Sequence, residues 1–147
     1  MNVVLNINAI NKNNIFFYES VKNTVISNSN FIRIIYSNKE IIMNGIYIKF
    51  DIDKQILQNN NNNNSNNNIF NQLEELEIYI LNKYKNNKVN NNKNNNICYK
   101  IKEQILYLIN KINNCNNDRV IFTYILKISG LWETDNHIGL TYKFIYL

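Results

Sequence analysis

Residues 118–147, DRVIFTYILKISGLWETDNHIGLTYKFIYL, constrain the fold more than any other part of this chain. They read as two long β-strands joined at Glu133-Thr134-Asp135-Asn136-His137. With Trp132 set opposite Ile138, one face collects Leu126, Ile128, Gly130, Trp132, Ile138, Leu140, Tyr142 and Phe144. The other face collects Lys127, Ser129, Gly139, Thr141 and Lys143, with Leu131 the exception. Side chains alternate with period two, so a slip of one residue would mix the faces. This register puts Lys127 across from Lys143. Like charges directly opposed on a ladder are unfavourable. Two readings stay open: an anion lies over that face, or both ammonium groups splay into water.

The rest of the composition bounds the answer. A chain of 147 residues suits one domain with an insertion. Asparagine accounts for 36 residues, proline is absent and glycine occurs three times. Asn, Ile, Lys and Tyr share A/T-rich codons, so the bias reads as a coding signature and not as a selected surface chemistry. The net charge of +5 favours polyanion partners over acidic ones. Glu74, Glu75 and Glu77 form a short acidic patch, whereas Lys83 to Lys102 contains six lysines and no acid. That basic run reads as a solvated linker and helix start.

Cys98 and Cys115 form no CxxC pair, which predicts free thiols in a reducing intracellular compartment. The N-terminal MNVVLNINAI lacks the basic and long apolar regions of a signal peptide. No run reaches the roughly 18 apolar residues of a membrane span.

Alternation predicts strands over residues 1–10, Ile15–Tyr18, Phe31–Tyr36 and Ile41–Ile52, the last two forming a hairpin around Ser37-Asn38-Lys39. The asparagine tracts 59–68 and 86–96 read as low-complexity surface loops, too polar to order themselves. Leu73, Leu76, Ile80 and Tyr84 recur at helical spacing, with Asn68 as a candidate cap. Ile97, Ile101, Ile105, Leu108 and Ile112 predict a second amphipathic helix. The order of four strands, two helices and two strands gives a β-dominated α+β domain in which helices interrupt a sheet or barrel.

Residues that support catalysis are sparse. His137 is the lone histidine and sits in a turn; with two separated cysteines it makes no zinc site. There is no glycine-rich phosphate loop. Glu74, Glu75 and Glu77 suit a helix start electrostatically, and Asp51 with Asp53 is an i, i+2 acidic pair without further ligands. The expectation is a non-enzyme with no cofactor.

Single-strand binding, in contrast, needs cations for phosphates and aromatic faces for bases. The predicted strands offer Tyr47 beside Lys49, Lys127 across from Lys143, and Arg33 on a neighbouring strand opposite in direction to Tyr36. Trp132 lies at the hairpin tip on the apolar side, where burial competes with stacking.

Three segments carry a resemblance: FIRIIYSNKEIIMNGIYIKFDI (31–52), LEELEIYILNKY (73–84) with YKIKEQI (99–105), and ILKISGLWETDNHIGLTYKFI (125–145). Together, over about half the chain, they resemble the OB-fold single-stranded DNA-binding proteins of large nucleocytoplasmic DNA viruses, which are similar to phage replication single-strand binders. The closing Ser129-Gly130-Leu131-Trp132, turn, Gly139-Leu140-Thr141-Tyr142-Lys143-Phe144 is its most specific part. The resemblance implies one OB-like domain over 1–147: a small β-barrel with a two-helix insertion before the C-terminal hairpin. It implies binding of single-stranded DNA or RNA without strong sequence preference, in viral replication or repair within the host cytoplasm. Arg33, Lys49, Lys127 and Lys143 would neutralise phosphates, and Tyr47 and Trp132 would stack bases. Phage relatives end in an acidic tail, but no acid follows Asp135 here, so tail-mediated recruitment is not expected. The second expectation is a viral structural or interaction module on the same fold, dimerising through its apolar C-terminal strand.

Overall fold

The structure, a computed structural model, describes residues 3–58, 65–88 and 95–147. It is a strand-rich α+β protein built on a curled half-barrel sheet. Eight strands run β1 Ile15–Phe17, β2 Val21–Lys22, β3 Asn30–Ser37, β4 Ile42–Asn44, β5 Ile46–Asp53, β6 Asn96–Cys98, β7 Ile121–Glu133 and β8 His137–Tyr146. Among the described residues three α-helices, α1 Lys54–Gln58, α2 Ser65–Asn87 and α3 Ile101–Asn113, fall between β5 and β7.

The long β7 is the axis of the sheet. One edge pairs with β8 along its length. The other edge takes β5 along Ile121–Ile128 and β3 along Gly130–Glu133. A single hairpin can supply both neighbours only by bending sharply between them. Gly45 makes that bend with a left-handed φ of 89°, and a Cβ there would lie 2.6 Å from the Ile128 carbonyl oxygen. The predicted strand 41–52 is therefore two strands: β4 stays on β3, and β5 crosses to β7. Asn38 closes the β3–β4 turn, its side-chain oxygen accepting from the Glu40 and Ile41 amides at 2.8 and 2.9 Å.

The inward sheet face and the apolar sides of α2 and α3 form one core. Ile32, Ile34, Ile46, Ile48, Ile52, Leu126, Ile128 and Leu131 meet Leu73, Leu76, Ile80 and Leu81 from α2 and Ile101, Ile105 and Ile112 from α3. Each such side chain contributes about 1.5–3 kcal/mol by leaving water. Tyr142 also faces inward, and burial first, then Glu77 and Glu103, pushes its hydroxyl up to about 12, so it stays neutral.

Four expectations are corrected. Residues 3–10 are not a strand: Leu5 alone bridges β5, and Ile7–Ala9 form a 3₁₀ turn. The first long helix begins at Ser65, not after Asn68, so the end of the 59–68 tract is helical. Asn66 is buried there, bonding both the amide (3.2 Å) and the carbonyl (2.9 Å) of Asp53, which seats α2 on the end of β5. Asn86 and Asn87 likewise finish α2, Asn96 and Ile97 belong to β6, and the second helix starts only at Ile101. Residues 59–64 and 89–94 of the two tracts lie outside the described residues.

Glu77 is not at a helix start either. It sits mid-way along α2 and its carboxylate accepts the amides of Lys100 and Ile101 at 3.1–3.3 Å, capping α3, whose N-cap Lys100 makes no side-chain cap of its own. Glu77→Ala is expected to lower stability by about 2 kcal/mol in urea titrations, by orphaning those amides. Burial outweighs the two hydrogen bonds and raises this carboxyl above its ordinary 4.5. The folded chain then holds the proton more tightly than the unfolded one. That stability is fully present below the unfolded value and is lost as pH rises through the raised folded value. Glu77→Gln should flatten this slope; parallel pH profiles for the two proteins would contradict it.

Candidate nucleic-acid interface

The outward face of the sheet carries the candidate site. Opposed residues in an antiparallel pair point the same way, so the register orders this face in layers. Asp51 and Thr123 come first, then Lys49 with Ile125 and Ile145, then Tyr47 with Lys127 and Lys143. Next are Arg33, Gly130 and Thr141, and last Phe31, Trp132 and Gly139. All six predicted residues, Arg33, Tyr47, Lys49, Lys127, Trp132 and Lys143, stand on this one face.

Lys127 and Lys143 face each other as expected. Lys127 lies over the Tyr47 ring, its ammonium 5.4 Å from the ring centre, while Lys143 remains exposed. Asp51 is the one acid in these layers, and it accepts from the Thr123 hydroxyl at 2.5 Å. Among the described residues, Arg33, Lys49, Lys127 and Lys143 have no carboxylate partner within ion-pair distance. Four cations thus gather on one surface without neutralisation, and the sequence-distant strands β3, β5, β7 and β8 each supply one.

Trp132 corrects the expected register. Ile128 pairs with Tyr142, but Gly130 pairs with Thr141, leaving Ser129 as a β-bulge. Beyond the bulge the faces of β7 exchange. Leu131 becomes fully buried, which explains its exception to the alternation, and Glu133 also turns inward. Trp132 turns outward, across from Gly139 and not Ile138. Its indole packs over Gly139: a Cβ there would sit 2.6 Å from the ring. Phe31 lies in the same way on Gly130, at 2.8 Å. Two glycines therefore make room for two aromatic rings laid across neighbouring strands.

Phe31 and the β2–β3 hairpin were not legible beforehand. Val21 pairs with Phe31, and Asn23 shapes the hairpin loop by accepting from the Val25 and Ile26 amides at 2.9 and 3.2 Å. Asn28 takes the left-handed φ of 56° that a β-branched residue would resist. In a chain where a quarter of the residues are asparagine, these turn-forming asparagines carry no contrast against their background.

Other polar clusters serve packing. Asp53 caps α1, accepting from the Gln55 amide at 2.9 Å, so it does not pair with Asp51 around an ion. Glu133 is enclosed by the Tyr84 hydroxyl at 2.6 Å, the Lys88 ammonium and the Asn95 amide at 3.2 Å, tying α2 to the closing hairpin. His137 is exposed as the first residue of β8 and not within the turn, and Cys98 and Cys115 are free and half-buried. Among the described residues no three His, Cys, Asp or Glu side chains group closely enough to hold a metal ion, and no helix is long and apolar enough to cross a membrane.

Fold and site together define a strand-rich α+β protein that presents a cationic, aromatic sheet face. No family model, no curated protein and no solved structure matches the chain significantly.

Proposed function

We propose that this protein binds single-stranded nucleic acid, DNA foremost, along the outward face of an OB-like sheet. One observation carries the reading: Arg33, Lys49, Lys127 and Lys143 share a face with Tyr47 and Trp132, without carboxylate partners among the described residues. Unpaired cations supply phosphate neutralisation, and flat rings supply stacking that any base satisfies, so the binding is not sequence-specific. The layers from Lys49 to Trp132 span seven steps along β7, from Ile125 to Trp132, roughly 23 Å of extended strand. That length suits the lower end of single-strand sites, about four nucleotides. A role in the replication or repair of an A/T-rich viral genome follows from the resemblance of the closing hairpin. No catalytic step is proposed.

Fluorescence anisotropy with labelled dT oligonucleotides tests this. Four phosphate contacts predict that log K falls with log salt at a slope of about −3. Trp132 is the lone tryptophan, so its emission should be quenched as bases stack. Undetectable or salt-insensitive binding would sink the reading.

The second reading, a structural module that self-associates, is favoured by the β8 edge. Strand β6 covers only His137–Gly139, and among the described residues the rest of that edge has no backbone partner. Tyr146 and Leu147 are exposed at its end. A dimer by light scattering that ignores dT oligonucleotides would select this reading.

A further inference from the structure

At the Trp132 end of the sheet the outward face opens into a cleft of about 450 Å³. Its floor is Phe31, Arg33 and Thr141, and its wall is the hairpin loop Val21–Ile26. The lining contains two cations, Lys22 and Arg33, and no acid. The wall is unusual for a free surface: Val21, Val25 and Ile26 are all exposed, Val25 to 90%. The Phe31 ring packs against Gly130 and also lines the cleft. An aromatic ring, an apolar wall and two cations without a carboxylate partner among the described residues are complementary to a nucleotide, with its aromatic base and its phosphate.

We infer that this cleft holds one nucleotide of the bound strand, its base on Phe31 against Val21 and Ile26 and its phosphate on Arg33 and Lys22. The inference rests on the single-strand reading above and adds an anchoring position to it. Bases along Tyr47 and Trp132 stack on an open sheet, whereas the base at Phe31 is enclosed by the β2–β3 loop. The cleft thus sets where along the strand the protein grips most firmly. Losing that base should cost more than losing any other.

The test uses the full chain and dT oligonucleotides eight nucleotides long in which a single abasic site is walked along the strand. One position is expected to cost the wild type roughly tenfold in affinity, within the range for a stacked base. Phe31→Ala should weaken binding of the intact oligonucleotide by a similar factor, leave the salt slope unchanged and erase the penalty at that one position. Phe31→Leu keeps the apolar cover on Gly130 and should erase it too, should the alanine variant not fold. Independently, 5-iodouracil placed at that position should photo-cross-link to Phe31 in the wild type. Equal abasic penalties at every position, a Phe31→Leu variant with the wild-type profile, or cross-links confined to Tyr47 and Trp132 would overturn the inference while leaving the sheet-face reading intact. A wild type that binds no oligonucleotide would overturn both.

Discussion

Lys127→Glu/Lys143→Glu is expected to bind a dT oligonucleotide about 100-fold more weakly than the wild type at about 0.1 M salt, with its salt slope shallower by about 1.4. Two phosphate contacts vanish, each worth about 0.7 in slope on a single strand, and two carboxylates now repel the phosphates. The fold should survive, because the substitution exchanges one like-charged cross-strand pair for another on a solvent-facing layer. The single variant Lys143→Glu separates function from stability. It places a carboxylate opposite Lys127, so the free protein should gain about 0.5 kcal/mol while affinity drops roughly tenfold. A protein that is stabilised by a change and loses binding by it carries a charge arrangement that serves a ligand. If affinity is unchanged in the double variant, this layer is not part of an interface.

Gly130→Ala should give the largest loss of stability of any single methyl addition in the sheet, about 3 kcal/mol, or roughly 6–12 °C in melting temperature. The added Cβ would lie 2.2 Å from the Ile32 carbonyl oxygen, a backbone atom held by the β3–β7 pairing, and 2.8 Å from the Phe31 ring. Neither the carbonyl nor the bulge beside it can move without breaking the ladder. Gly139→Ala provides the contrast. The three atoms nearest its Cβ all belong to the Trp132 side chain, the first at 2.6 Å, and an indole can swing away. Stability should fall by about 1 kcal/mol, and the displaced indole should show a red-shifted emission and weaker oligonucleotide binding. Equal losses for the two variants would mean that the Gly130 contact is relieved by a backbone shift.

Much of this architecture could be read along the chain. Short apolar runs located β1 and β3, period-two alternation located β7, β8 and the stretch that divides into β4 and β5, and helical spacing located the apolar faces of α2 and α3, because these signals are local. The Lys127–Lys143 pairing was legible for the same reason: on that side of the bulge the hairpin register is regular. The asparagine tracts misled. Polar composition argues against burial on average, but Asn66 satisfies both of its amide groups on Asp53 and is buried in consequence. Ile97 matched the helical spacing of its neighbours, yet it lies in β6 and pairs in parallel with Ile138 of β8.

What the order of residues determined alone is which side chains alternate, which helices have a greasy side, and that two lysines meet on the closing hairpin. Where β7 skips a residue was decided only by assembly. Gly45 approaches the Ile128 carbonyl where β3 and β5 share one edge of β7, and the bulge at Ser129 falls beside that junction. That single skipped residue buries Leu131, turns Trp132 outward and aligns it with Phe31. It sits at the junction where Gly45 meets Ile128, 83 residues further along the chain, which no local periodicity encodes.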